Sequence, residues 1–255
     1  MCGAPRAKAL AFYCRGRRWL NGKLADPIFY SSKIASFHGS PHMSSLRRIY
    51  YDLFSKIYDF IIRLHSRDIA GSLRRFIVEK ANLSEGDKAL DLCTGTGSVA
   101  VELTKQVGET GFVIGLDFSW GMLEKAKEKA RKFRIDRLHL VQANASQLPF
   151  KKSSFHGVTC SHAFYELKGD ERARAINEVA RILIYGGRFC LMEHAKPKRL
   201  FPRLLFYGRV FFLGARDARK FLREEDSIFG VKFKNITKVM SPTGQSKLIY
   251  GEKGG

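Results

Sequence analysis

Apolar positions along this chain follow two periods in alternation. Residues near 88–93, 112–117, 137–142, 155–161, 187–193, 231–240 and 245–251 form short apolar blocks or alternate apolar with polar, which predicts strands. Residues near 97–107, 119–133 and 170–184 repeat apolar side chains at three- and four-residue spacing, which predicts helices. Strands and helices in turn imply a parallel sheet with right-handed crossovers and helices on both faces. The last two strands are separated by Ser241-Pro242-Thr243-Gly244, a turn sequence, and so predict a closing hairpin. The expected architecture is α/β, a seven-stranded, mostly parallel sheet with one antiparallel edge strand.

Upstream of the sheet, residues 44–83 read as helical. Leu46, Ile49, Leu53, Ile57, Phe60 and Ile61 share a face, Ser44 or Ser45 is placed to cap it, and a second helix is expected from about Ser66 to Ala81. Residues 1–43 differ in kind. They hold seven Lys/Arg against Asp26 alone, with no periodic apolar face. Three readings stand: a disordered extension, a start read upstream of a true one at Met43, or an Arg-rich, acid-poor targeting peptide. The expected division is an extension over 1–43 and one domain over 44–255. No repeat and no apolar run of membrane-spanning length is present.

Charge adds to this picture through its placement. The 255 residues carry 45 Lys/Arg and 24 Asp/Glu, a formal +21, which favours anionic partners and says nothing of fold. Residues 196–223 hold nine Lys/Arg and one acid, Asp217. Within them, 199–223 interleave arginine with Phe201, Phe206, Tyr207, Phe211 and Phe212. The segment falls between the fifth and sixth strands, where a lid over 196–228 is expected. It suits either an interfacial surface on anionic lipid or a core-facing helix with solvated arginines. The five cysteines, Cys2, Cys14, Cys93, Cys160 and Cys190, form no C-x-x-C pair, so they read as reduced thiols without a zinc site.

Candidate chemistry concentrates after the first strand. Ala89-Leu90-Asp91-Leu92-Cys93-Thr94-Gly95-Thr96-Gly97-Ser98 reads as strand, acid, glycine turn and helix start. Glycines at 95 and 97 let backbone approach a ligand, and the helix start offers free N–H groups. Twenty residues beyond Gly97 a second strand ends in Asp117, whose carboxylate can accept two bonds from a ribose diol. Asp91, four residues before Gly95, would repel a pyrophosphate and attract an ammonium. That favours S-adenosylmethionine, which has an ammonium, a sulfonium and no phosphate.

Three further stretches complete an ordered set. They are Gln142-Ala143-Asn144-Ala145 with Leu148-Pro149-Phe150; Phe155-His156-Gly157-Val158-Thr159-Cys160-Ser161; and Arg181-Ile182-Leu183-Ile184-Tyr185-Gly186-Gly187 running to Glu193. Over roughly residues 46–250 the chain resembles the class I S-adenosylmethionine-dependent methyltransferases, with a Rossmann-like fold, and within them the ubiquinone/menaquinone C-methyltransferase group. The resemblance implies S-adenosyl-L-methionine as cofactor. Asp91 would anchor its ammonium, directly or through water, Gly95 and Gly97 admit its methionyl part, Asp117 hold the ribose and Phe118 pack on adenine. Asn144 would read the adenine amino group through its oxygen, with Ser161 a further neighbour. Departures are Ile184 and Tyr185 for the usual Lys-Pro, His156 for the usual Asp after Phe155, and a changed run on the acceptor side. Where the group reads F-G-L-R-N-V, this chain has His162-Ala163-Phe164-Tyr165-Glu166-Leu167, so Tyr165 and Glu166 replace an Arg and an Asn.

His162, Tyr165, Glu166 and His194 are the catalytic candidates, because they lie just past the fourth and fifth strands, at the carboxyl edge where α/β ligands bind. The expected activity is methyl transfer to a small lipophilic acceptor such as a prenylated quinol. Phospholipid amines and thiols are alternatives on the same architecture. An RNA methyltransferase and a non-enzymatic cofactor-binding partner are rival classes. The first has the net charge in its favour, but the chain lacks the Asn/Asp-Pro-Pro-Tyr/Phe and Pro-Cys motifs and any appended RNA-binding module. The expected location is the cytoplasm, peripheral at a membrane, or the mitochondrion if 1–43 is a transit peptide.

Overall fold

A computed structural model describes residues 71–167, 170–195 and 229–254, together with the backbone of 12–14 and 17–19. Nine strands form one sheet: β1 (Phe12–Cys14), β2 (Arg17–Trp19), β3 (Lys88–Leu92), β4 (Phe112–Asp117), β5 (Leu138–Gln142), β6 (Phe155–Ser161), β7 (Leu183–His194), β8 (Phe233–Met240) and β9 (Ser246–Lys253). The helices are α1 (Ser72–Ala81), α2 (Ser98–Gln106), α3 (Trp120–Lys132) and α4 (Asp170–Ile182), with a short 3₁₀ turn at Phe164–Glu166. The strand order is β2-β1-β5-β4-β3-β6-β7-β9-β8.

The seven expected strands are all there, β3 to β7 mutually parallel. The antiparallel edge is the β8–β9 hairpin. β9 is the strand that runs against its neighbours, and β8 lies outermost. Two pieces of the expected extension, β1 and β2, pair antiparallel with each other, and β1 meets β5 through Tyr13 and Leu140. The remainder of 1–43, the helical stretch 44–70 and the lid at 196–228 lie outside the described residues.

Winding reverses at β3. From there the chain steps through α2 and α3 to β4 and β5 on one side, then returns to place β6 on the other and steps through α4 to β7. Right-handed crossovers moving in opposite directions must put their helices on opposite faces. The packing follows that rule. Leu73 and Ile77 of α1, Leu103 of α2 and Leu123 and Ala126 of α3 pack on Ala89, Val113 and Met192. Ile176, Val179 and Ile182 of α4 pack on Leu90, Ile114 and Val158 with Phe150, Phe155 and Phe189. Neighbouring residues such as Ala89 and Leu90 thus serve opposite faces, the period of two that a strand imposes. Each large apolar side chain sealed in this way contributes roughly 1.5–3 kcal/mol.

Two boundaries differ from the sequence reading. α4 ends at Ile182, and β7 begins at Leu183 rather than near 187, because Leu183 already pairs with Phe155 before a register shift to Gly157 and Arg188. The Gly186-Gly187 pair is therefore an irregularity inside a strand, with Gly186 at φ 74°. α1 is described from Ser72, after Gly71 at φ 70°.

Candidate active site

The carboxyl ends of β3, β4, β5 and β6 meet where the winding reverses, the place where open α/β sheets bind ligands. Cys93, Asp117, Ala143 and Ser161, at or just past those ends, line a cleft that opens to solvent. Phe118 and Met122 come from the start of the β4–α3 segment, Asn144 and Ala145 from the loop after β5, and His162, Ala163 and Glu166 from the loop after β6.

Asp117 organises the glycine turn. Its Oδ2 accepts the Gly95 N–H at 2.8 Å and its Oδ1 the Ser119 N–H at 2.9 Å. Each oxygen keeps lone-pair capacity for a further donor from the cleft. Burial pushes the Asp117 carboxyl up to about 6, against the lowering effect of those two N–H groups, and the nearby Glu166 charge pushes in the same direction as burial. Ser119 then caps α3, its Oγ accepting the Met122 N–H at 3.3 Å.

Asp91 is set deeper than Asp117. It does not line the cleft. It is 2% exposed, with Oδ2 accepting the Thr94 hydroxyl at 2.6 Å and Oδ1 the Thr159 hydroxyl at 2.8 Å. These two bonds tie the turn to β6, and burial raises the Asp91 carboxyl to about 6. Gly97 also stands outside the lining. A Cβ there would come within 2.9 Å of the Ala126 Cβ, at φ 74°, so this glycine lets α2 and α3 approach. Gly95 alone of the pair faces the cleft. Asn144 lines it, but its Oδ1 accepts the Ser146 N–H at 2.9 Å and the Ser146 hydroxyl at 3.0 Å. That oxygen shapes the loop, and the side-chain amide N–H₂ is the group left to read a base.

On the acceptor side the structure separates the four candidates. His162 and Glu166 line the cleft, whereas Tyr165 and His194 are not among its lining residues. His162, at φ 53°, is bracketed by hydroxyls: Ser161 Oγ lies 2.9 Å from Nδ1 and Ser246 Oγ 2.9 Å from Nε2. It therefore bridges the end of β6 to the start of β9. His194 packs on its ring at 4.4 Å between centroids and on Tyr165 at 6.0 Å. Tyr165 is 3% exposed, and its hydroxyl donates to Glu166 Oε1 at 3.1 Å.

The sequence reading missed Cys93, Met122 and Glu171 as lining residues. The first lay within the quoted turn, and the other two are signalled only by standing in the first turns of helices that start at the sheet's carboxyl edge. It also missed the thiol contact between Cys93 and Cys160, which, with burial, raises the Cys160 thiol well above its usual range.

The sequence profile of the ubiE/COQ5 methyltransferase family matches residues 44–211. The chain belongs to that family. A demethylmenaquinone methyltransferase of Oceanobacillus iheyensis is 32% identical over 168 residues, 66% of this chain and 69% of the relative. A ubiquinone/menaquinone biosynthesis C-methyltransferase UbiE of Geotalea uraniireducens is 33% identical over 158 residues, 62% of this chain and 66% of the relative. Among solved structures, an S-adenosylmethionine-dependent methyltransferase from Aquifex aeolicus superposes with a TM-score of 0.59 at 20% identity, covering 78% of this chain and 97% of that one. A putative methyltransferase of the same cofactor class from Methanococcus maripaludis gives 0.59 at 17% identity, covering 80% and 94%. These two likenesses establish the fold.

The cofactor of the ubiE/COQ5 family is S-adenosyl-L-methionine, and the cleft suits it. The described lining carries the carboxylates of Asp117, Glu166 and Glu171 and no Lys or Arg, in a chain of net charge +21. A dinucleotide pyrophosphate would meet repulsion there, whereas a sulfonium and an ammonium meet attraction.

Proposed function

We propose that this protein transfers a methyl group from S-adenosyl-L-methionine to a small lipophilic acceptor, and that the acceptor is a prenylated quinol. The family membership and the relatives' substrates support the acceptor class. The observation that carries the chemistry is the Tyr165–Glu166 pair, with Glu166 on the cleft wall and close enough to Asp117 to raise its carboxyl.

The bound cofactor supplies a methyl group on a sulfonium, already a good leaving group. The chain's own residues have three tasks. Asp117 and Gly95 fix one end of the donor through a carboxylate and a tight turn. The apolar walls, including Leu116, Met122 and Leu167, exclude water from the donor–acceptor line. Glu166 accepts the acceptor's hydroxyl proton, which raises electron density at the ring carbon to be methylated; that carbon then gives up its own hydrogen as a proton to solvent while Glu166 returns the hydroxyl proton, and the Tyr165 hydroxyl holds the carboxylate in place.

The segment 199–223 lies outside the described residues. Its arginine–aromatic composition supports contact with an anionic membrane, from which such an acceptor would be drawn. Among the described residues no helix is long and apolar enough to cross a membrane. This reading puts the protein in the cytoplasm, peripheral at a membrane, or in the mitochondrion if 1–43 act as a transit peptide.

The test supplies methyl-labelled cofactor with a demethylated prenyl quinol, with phosphatidylethanolamine vesicles and with total RNA in parallel. Label in the quinol is expected. Label in the amine lipid or in RNA alone would replace the acceptor assignment, and no transfer to any of the three would reject it.

A further inference from the structure

The loop after β5 forms one wall of the cleft at Ala143–Ala145, and it is fastened at both ends. At the near end the Ala143 N–H donates to the Asp117 carbonyl at 3.1 Å, and Gln142 Nε2 donates to the Phe118 carbonyl at 2.9 Å. At the far end two side chains of α4 take hold of Leu148. Its N–H donates to Glu178 Oε2 at 2.7 Å, and its carbonyl accepts from Arg181 Nη2 at 3.1 Å. Arg181 Nη1 also donates to the Phe150 carbonyl at 2.6 Å. The two side chains are themselves joined fork to fork, Nε to Oε1 at 2.7 Å and Nη2 to Oε2 at 2.8 Å.

We propose that Arg181 and Glu178 are positioning residues for the cofactor's base, holding the 143–150 loop in its binding shape before the cofactor arrives. An ordinary pair three residues apart on a helix surface contributes little. This one directs three of its bonds to backbone groups of another segment. A planar guanidinium, with five donors in a fixed fork, pairs with a carboxylate at two atoms and still reaches two carbonyls. Leu148 and Phe150 are sealed in the core, 1% and 0% exposed, so the pair fixes the backbone between two anchors. Loop ordering that precedes binding need not be charged against affinity. The inference rests on the reading that the cleft takes S-adenosyl-L-methionine with its base against 143–145.

The test uses the full chain with Arg181→Met, Arg181→Lys and Glu178→Gln. Calorimetry reads affinity for S-adenosylhomocysteine and for adenosine. Steady-state assays split KM for the cofactor from kcat, and amide exchange reads the Leu148 N–H. Arg181→Met is expected to weaken both ligands by a similar factor of about ten, the scale of re-ordering a few side chains and a loop. KM for the cofactor should rise, kcat at saturation should hold, and Leu148 exchange should quicken while β6 exchange does not. Arg181→Lys should recover part of the affinity. If Arg181→Met fails to fold, Glu178→Gln gives the same readouts with a smaller effect in the same direction. A lowered Tm with unchanged affinity and KM would mean that the pair is structural only, and would overturn the proposal. A parent protein that binds neither ligand would bring down the cofactor reading as well, which separates the two failures.

Discussion

The carboxylate of Asp117 accepts the backbone N–H of Gly95 at 2.8 Å, so the end of one strand holds the glycine turn that follows its neighbour. The same carboxylate faces the cleft. Replacing it removes a ligand contact and loosens the turn together. Asp117→Ala is expected to weaken S-adenosylhomocysteine binding by ~1–3 kcal/mol, the range for lost hydrogen bonds to a charged acceptor. Isothermal calorimetry on the folded variant measures it, and an unchanged affinity would remove Asp117 from the site.

The raised carboxyl of Asp117 also gives a pH signature. Burial lifts Asp117 to about 6 and Asp91 likewise to about 6. Both lie above their unfolded value, so their contribution to folding is fully present below an unfolded pKa of roughly 4 and is lost as pH rises through about 6. Binding runs the other way, because the ligand needs the ionised Asp117 as acceptor. Cofactor affinity should therefore rise about tenfold from pH 5 to pH 7, following deprotonation of a group near 6. Asp117→Asn should bind more weakly and flatten this rise. A parent profile that is level from pH 5 to 7 would count against the assignment.

Gly97 supplies a test of packing rather than binding. An added methyl would meet Ala126 at 2.9 Å and would sit at φ 74°. Overpacking typically costs about 1–3 kcal/mol. Gly97→Ala should lower the denaturant midpoint accordingly, while cofactor affinity of the folded fraction stays close to the parent's. A large loss of affinity at unchanged stability would return Gly97 to the binding surface.

The sheet, its helices and the place of the cleft were legible in the sequence because hydrophobic period and turn residues act locally. Gly95, Asp117, Phe118, Asn144, Ser161, His162 and Glu166 were legible at the cleft too, since they stand at strand ends or in the loops that follow them. Their partners were not. Asp91 bonds Thr159 from 68 positions away, and His162 bonds Ser246 from 84. How the oxygens of Asp91 and Asp117 are occupied depends on such distant donors, and spacing carries no record of them. Arg181 was visible as part of a motif, while its hold on Leu148 and Phe150 appears only once α4 lies beside the loop. The β7 start was misjudged because Gly186 and Gly187 signal a turn, and the pairing of Leu183 with Phe155 overrides that signal.

The thiols discriminate cleft from core. Cys93 lines the cleft, whereas Cys160 and Cys190 are buried on the sheet, the latter with its thiol pushed up to about 12 by burial. Thiolate is the reactive form, so buried thiols held protonated react slowly. In a protein with Cys2 and Cys14 replaced by Ser, maleimide should label one thiol in the native state, at Cys93, and three after unfolding. S-adenosylhomocysteine should slow the native labelling. Mass spectrometry that finds Cys160 or Cys190 modified first, or Cys93 unprotected by ligand, would contradict the placement of the cleft floor.

The sharpest test of mechanism falls on Glu166. It lines the cleft and takes the Tyr165 hydroxyl on Oε1, while His162 has both ring nitrogens beside hydroxyls. Proton removal by a positioned side chain accounts for about 10²–10⁴ in rate, so Glu166→Gln should lower kcat on a demethylated quinol by that factor. Cofactor affinity at neutral pH should change little, since Gln keeps the shape and the amide oxygen still accepts from Tyr165. Near pH 6 affinity should rise slightly, because loss of the Glu166 charge eases ionisation of Asp117. Tyr165→Phe, which removes only the hydroxyl that orients the carboxylate, should cost less than Glu166→Gln. His162→Gln should cost stability more than rate, because its ring ties β6 to β9. If instead His162→Gln abolishes turnover while Glu166→Gln leaves kcat within twofold, the base is the histidine and Glu166 does not take the proton.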